Sequence, residues 1–131
     1  MPEQRNRYEG FPQRPVLFIE LHSRRAQPLR VKLLVDTGNP YSLVISDNLL
    51  TEYGGQPAFG KITNFGSLNT AWMRLRIPEL GFDRRLVVYS NAEVVEAVKR
   101  SKPDFDGLAG LPLLRRLEYG GNSDSFWLRT D

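Results

Sequence analysis

An aspartate stands at the abrupt end of an apolar run, in Leu33-Leu34-Val35-Asp36-Thr37-Gly38. A carboxylate placed straight after three core-type residues is costly to desolvate unless donors hold it or chemistry uses it. Thr37 brings a hydroxyl beside the acid. Gly38 permits a sharp turn and lets a backbone N–H approach the carboxylate. Asp36 is therefore the candidate catalytic residue for general acid–base work, with Thr37 and Gly38 as its support. The tripeptide alone is a weak motif, because an ordinary Asp-Thr-Gly turn is spelled the same way. A second segment, Phe105-Asp106-Gly107-Leu108-Ala109-Gly110, runs straight into Leu111-Pro112-Leu113-Leu114. Within it Asp106 precedes a glycine and reads as a turn former or structural hydrogen-bond acceptor, not as a second catalytic acid. Asp104 reads as a solvated loop acid.

The elements that must position these residues are mostly strands. Pro15 to Leu21 and Leu29 to Val35 form an expected hairpin, the second strand becoming continuously apolar as it enters a core. Asp36-Thr37-Gly38-Asn39-Pro40 then breaks the strand. Ser42 to Ile45 is a short strand, and Ser46 caps a helical turn ended by Gly54-Gly55. Residues 56–69 read as an extended hairpin around Asn64-Phe65-Gly66-Ser67. Ala71 to Ile77 and Arg84 to Ser90 continue a β-meander. Asn91 to Ser101 is the best helix, with Asn91 as its cap, Glu93 near its positive end and Lys99 and Arg100 near its negative end. Pro112 to Tyr119 reads as a second short helix closed by Gly120-Gly121, and Ser125 to Arg129 as a terminal strand. Residues 1–13 read as a flexible N-terminal arm, and 14–131 as a single domain.

The Asp36 and Gly110 segments together resemble the retropepsin-like aspartic peptidases, the family of the retroviral proteases. In that family an apolar strand ends in Asp-Thr/Ser-Gly, and a later hydrophobic–hydrophobic–Gly element passes beneath it and feeds a short helix. Leu34-Val35-Asp36-Thr37-Gly38 matches the first element and Leu108-Ala109-Gly110 the second. The resemblance runs from about Val16 to Arg129 with every element in family order. Departures are Asn39-Pro40 after the glycine, the extra helix of residues 91–101, and a hairpin tip poorer in glycine.

This resemblance implies a mainly β, closed or partly closed acid-protease barrel with two short helices. It implies an aspartic endopeptidase acting on an extended polypeptide. Asn64, Phe65 and Gly66 would form the substrate-covering flap, and Leu43, Ile45, Leu108 and Ala109 the apolar pockets. Asp106 and Gly110 would be structural. Hydrolysis without metal or covalent nucleophile needs one carboxylate as base and one carboxylic acid as acid. One Asp-Thr-Gly supplies only one of them, so the family's homodimer, with Asp36 from each chain, is implied.

Composition narrows the rivals. With 131 residues, 40% hydrophobic and 25% charged, the chain is of ordinary globular make-up and long enough for a core without disulfides or metal. The absence of cysteine excludes thiol nucleophiles and Cys-ligated zinc. His22 is the only histidine, which argues against a metal site or a serine-type triad, and no cofactor is expected. The glycine pairs lack phosphate-loop spacing and its lysine. Trp72 and Trp127 read as core or dimer-interface residues. The net charge of +3 lies in scattered pairs (Arg24-Arg25, Arg84-Arg85, Arg115-Arg116), which read as solvated faces, so neither nucleic acid nor membrane is expected as a partner. No apolar run approaches a bilayer-spanning length, and Met1 to Arg14 lacks a secretion-signal core, so a cytoplasmic location is the expectation. The rival functions are a non-catalytic binding or assembly module of the same fold and a small basic nucleic-acid-binding barrel.

Overall fold

Alternation of apolar and polar residues makes one long hairpin the backbone of the molecule. In the computed structural model, which describes residues 2–10, 12–55, 61–63 and 66–130 (61–63 and 66–68 by backbone alone), β6 (Gly66–Ile77) pairs from Asn69 to Ile77 with β7 (Phe82–Ser90). Ala71, Met73, Leu75 and Ile77 point inward, while Trp72, Arg74 and Arg76 point away. The two strands are joined by a 3₁₀ turn, Pro78–Leu80, and by Gly81, whose φ of 66° lies in the left-handed region that favours glycine.

The remaining elements follow in chain order. They are β1 (Glu3–Arg7), β2 (Val16–Ser23), β3 (Ala26–Asp36), β4 (Leu43–Ile45), α1 (Asp47–Tyr53) and β5 (Lys61–Thr63) before that hairpin. After it come α2 (Ala92–Ser101), β8 (Gly107–Gly110), α3 (Leu111–Leu114), β9 (Glu118–Gly121) and β10 (Ser125–Arg129). Strands run β2-β3-β8-β4-β7-β6 around the molecule, and β2 pairs again with β6. The expected barrel is thus closed, with six strands in a mainly β fold. Its interior is filled by Leu17, Ile19, Val31, Leu33, Leu43, Met73 and Leu113, among others, all essentially inaccessible. Each such side chain stabilises by ~1.5–3 kcal/mol relative to an exposed one. No described helix is long and apolar enough to cross a membrane.

Three features differ from expectation. Residues 1–13 are not wholly an arm, because Glu3–Arg7 forms β1, antiparallel to β10 in a separate three-stranded sheet with β9. The buried Gln4 carboxamide accounts for this: Oε1 accepts from Phe18 N–H at 2.8 Å and Nε2 donates to Phe18 C=O at 2.9 Å, as a neighbouring strand would. Gln4→Ala is expected to cost about 1–3 kcal/mol in urea unfolding, since it strands both Phe18 groups. Among the described residues the α-helices number three, not two, because the cap Ser46 accepts from Leu49 N–H and α1 continues for two turns. Lastly, α3 stops at Leu114 and Glu118–Gly121 is a strand, not the end of a helix. The Trp127 indole lies against Gly120, leaving no room there for a side chain.

Gln4 also donates to Glu79, which takes two further bonds from Arg30. Burial pushes the Glu79 carboxyl up, but the bonds from Arg30, its own backbone and Gln4 outweigh this and hold it below the ordinary carboxylate value. A lowered pKa means that the unfolded chain takes up the proton first. This contribution is therefore complete above the ordinary carboxylate pKa and is lost as pH falls through the lowered one. Glu79→Gln is expected to lower stability near neutrality and to flatten its decline between about pH 5 and pH 3.

Candidate functional site

Asp36 is the last residue of β3, and the strand that fixes it arrives about seventy residues later. β8 lies between β3, to which it is parallel, and β4, to which it is antiparallel. It is thus inserted between the two arms that leave the Asp36 turn. Leu33 faces Gly107 and Asp36 faces Gly110 across the parallel ladder.

Both ends of β8 need glycine for a steric reason. A Cβ on Gly107 would lie 2.0 Å from the Val44 carbonyl oxygen. One on Gly110 would lie 1.8 Å from that of Tyr41 and 2.8 Å from that of Asn39. Such close approach lets Gly110 N–H donate to Ser42 C=O and Leu111 N–H to Asn39 C=O, each at 3.0 Å. Ser42 Oγ donates to Val87 C=O at 2.5 Å, and Asn39 Oδ1 accepts from Tyr41 N–H at 3.0 Å. Asn39 and Ser42 were not among the expected site residues, yet they anchor the turn. The only sequence signal was the Asn-Pro pair after Gly38.

Within the turn, Asp36 Oδ1 accepts from Gly38 N–H at 3.0 Å, and Asn39 N–H donates to Asp36 C=O at 3.1 Å. Asp36, Thr37 and Gly38 are all exposed, whereas Val35 just before them is buried. Gly38 does not use the left-handed region, and an added Cβ there would only touch Asp36 Oδ1 at 3.4 Å. Its place in the turn thus rests on the N–H that it offers the carboxylate. The sharp turn anticipated there does not depend on glycine's conformational freedom.

Searches of protein-family models and of curated proteins find no match to this chain. What the site can do has to be read from its own geometry.

The other expected site residues fall into three groups. Asp106 Oδ2 accepts from Lys32 N–H at 2.9 Å, and Asp106 N–H donates to Lys32 C=O at 2.8 Å. It lies four ladder positions before Gly110, which is about 13 Å along the strand from Asp36. That distance is too great for the two carboxylates of one chain to share a proton. Asp104 is bonded to Lys32 Nζ, which also bonds Glu9.

Leu43, Ile45 and Ala109 have no accessible surface and Leu108 has 9%, so they do not form substrate pockets. The reason is that β4 and β8 are covered on both faces. Leu43, Ile45 and Ala109 point into the barrel, and Leu108 packs with Val44 against Val95 of α2. Of the flap residues, Gly66 opposes Thr63 in the β5–β6 hairpin, while Asn64 and Phe65 lie outside the described residues. Among the described residues no group of three or more histidines or acids is placed to hold a metal ion.

Proposed function

We propose that the chain is one half of an aspartic endopeptidase of the retropepsin-like type, its dyad made of Asp36 from two copies related by a two-fold axis. One observation carries this reading. Asp36 is an exposed carboxylate in a tight turn, straight after the buried Val35 at the end of β3, held by an inserted strand whose facing residue is a glycine. Such a turn aims an acid outward and leaves it with no carboxylate partner from its own ladder.

The chemistry follows from bringing two such acids together. At a few ångströms' separation two carboxylates repel by ~4 kcal/mol at an effective dielectric near 20, or about three pK units. They therefore share one proton, as is general for aspartic peptidase dyads. The charged member takes a proton from water while the protonated member polarises the scissile carbonyl. The Thr37 hydroxyls, one from each chain, lie beside the acids on the turn and link the two halves. Substrate is an extended polypeptide gripped through its backbone beneath the β5–β6 hairpins.

Dilution tests the dimeric requirement. Cleavage of a peptide library per mole of chain should fall steeply once the concentration drops below the dimer dissociation constant found by sedimentation. Specific activity that stays constant in a monomeric sample removes the two-chain site.

A further inference from the structure

The outer face of the β6–β7 hairpin carries a cleft that the proposed peptidase chemistry does not use. The alternation that fills the barrel leaves Trp72 facing away from it and 42% exposed. Trp72 forms one wall of a cleft of ≈ 230 Å³, with Tyr89 and Arg85 from β7. The cleft is also lined by Ser42, Pro112 and Arg116, from the two segments that flank and clamp the Asp36 turn.

Two properties set this cleft apart from an ordinary solvated surface. First, Arg85 and Arg116 are exposed and have no acidic partner among the described residues. Three other arginines of the barrel wall are neutralised: Arg74 and Arg76 share Asp83, and Arg30 pairs with Glu79, while Arg84 has no acidic partner among the described residues but lies over the Phe82 ring. The cleft thus brings together two uncommitted guanidiniums from positions 31 residues apart in sequence. Second, they are set among aromatic walls, Trp72 and the Tyr89 ring, which is itself packed on Tyr41 at 4.7 Å between centroids. Guanidiniums bind carboxylates in a fixed fork geometry, and a large exposed indole supplies rigid apolar contact at low entropic cost.

We propose that this cleft binds an acidic segment of a polypeptide, its Asp or Glu carboxylates held by Arg85 and Arg116 and the adjoining chain laid against Trp72. Charge complementarity selects the occupant. A nucleic-acid strand needs a track of free cations for successive phosphates. On the face of the hairpin that carries Arg85 and Trp72, the next cations, Arg74 and Arg76, are already committed to Asp83. The cleft has room for one or two side chains, not for a stacked run of bases. It is separate from the Asp36 carboxylate and does not depend on the peptidase reading.

Trp72 reports on its own cleft. There are two tryptophans, so in an Asp36→Asn, Trp127→Phe chain, which is unable to cleave by the proposed dyad, fluorescence comes from Trp72 alone. A blocked Glu-rich hexapeptide should change that emission saturably, and added salt should weaken the binding. Arg85→Gln and Arg116→Gln should each raise Kd about three- to fivefold, whereas Arg24→Gln should leave it unchanged. If Trp127→Phe does not fold, calorimetric titration of the Asp36→Asn protein gives the same constants. The proposal is overturned if emission does not change and no heat is released. It is also overturned if a Gln-for-Glu peptide binds equally well, if a hexathymidylate binds more tightly than the acidic peptide, or if the double arginine variant binds unchanged.

Discussion

Asp36→Asn is expected to reduce peptide cleavage by about 10²- to 10⁴-fold, the range associated with losing a positioned acid–base group. Fold and dimerisation should be retained, because the Asp36 side chain is exposed and accepts its hydrogen bond from the nearby Gly38 N–H, which an amide oxygen also accepts. The sharper form of the test mixes chains. If each site takes one acid from each of two copies, an equal amount of Asp36→Asn chain added to wild type and allowed to exchange should leave about half of the wild-type activity. The mutant captures wild-type partners in mixed, defective pairs. A site confined to one chain predicts no loss on mixing. Cleavage by the Asp36→Asn protein equal to that of wild type removes the enzymatic reading altogether and leaves a binding module.

The second large effect is structural. Gly110→Ala is expected to cost about 2–4 kcal/mol, lowering Tm by about 10 °C, because its Cβ would meet the Tyr41 carbonyl at 1.8 Å and backbone on one side must move. Gly38→Ala, directly before Asn39-Pro40-Tyr41 in the same turn, should cost less than about 1 kcal/mol, since its Cβ meets only ordinary contact. Thermal unfolding of the pair separates them. A Gly110→Ala protein as stable as wild type would mean that β8 does not press on the turn as described. Losing that pressure should also loosen Asp36, so activity of the Gly110→Ala protein should fall by more than its unfolded fraction accounts for.

How far the sequence disclosed these features depended on the range of the interaction involved. Strand β6 was legible because its alternation is local, Ala71 to Ile77 falling on two faces without help from distant residues. Helix α2 was legible from its cap, Asn91, whose side chain does accept from Val94 N–H. The abrupt acid at the end of β3 was legible because Val35 and Asp36 differ so sharply in polarity. By contrast, β1 is polar, and nothing within residues 1–13 announces that Gln4 will pair with Phe18. The stretch Leu113-Leu114-Arg115-Arg116-Leu117-Glu118 has helical letters throughout. What ends α3 and makes Glu118–Gly121 a strand is pairing with β10 and the Trp127 ring over Gly120, which local pattern does not encode. Leu43 and Ile45 were expected in pockets from the family resemblance alone, which did not say what the inward face of β4 meets. That face meets the barrel interior, and α2 covers the other face. The Trp72 cleft was hidden for a related reason: Arg85 and Arg116 each looked like half of a solvated pair, and only the fold brings them to one place.

The inserted position of β8 has a consequence for the order of events during synthesis. The turn at residue 36 has its flanking strand early, but the wedge that sets its shape is residues 107–110. Contacts separated by some seventy residues form late and slowly compared with hairpins. A nascent chain can therefore build β2, β3 and the β6–β7 hairpin while the aspartate still lacks its final setting. The acid acquires its final setting only once residues 107–110 have emerged from the ribosome and inserted between β3 and β4.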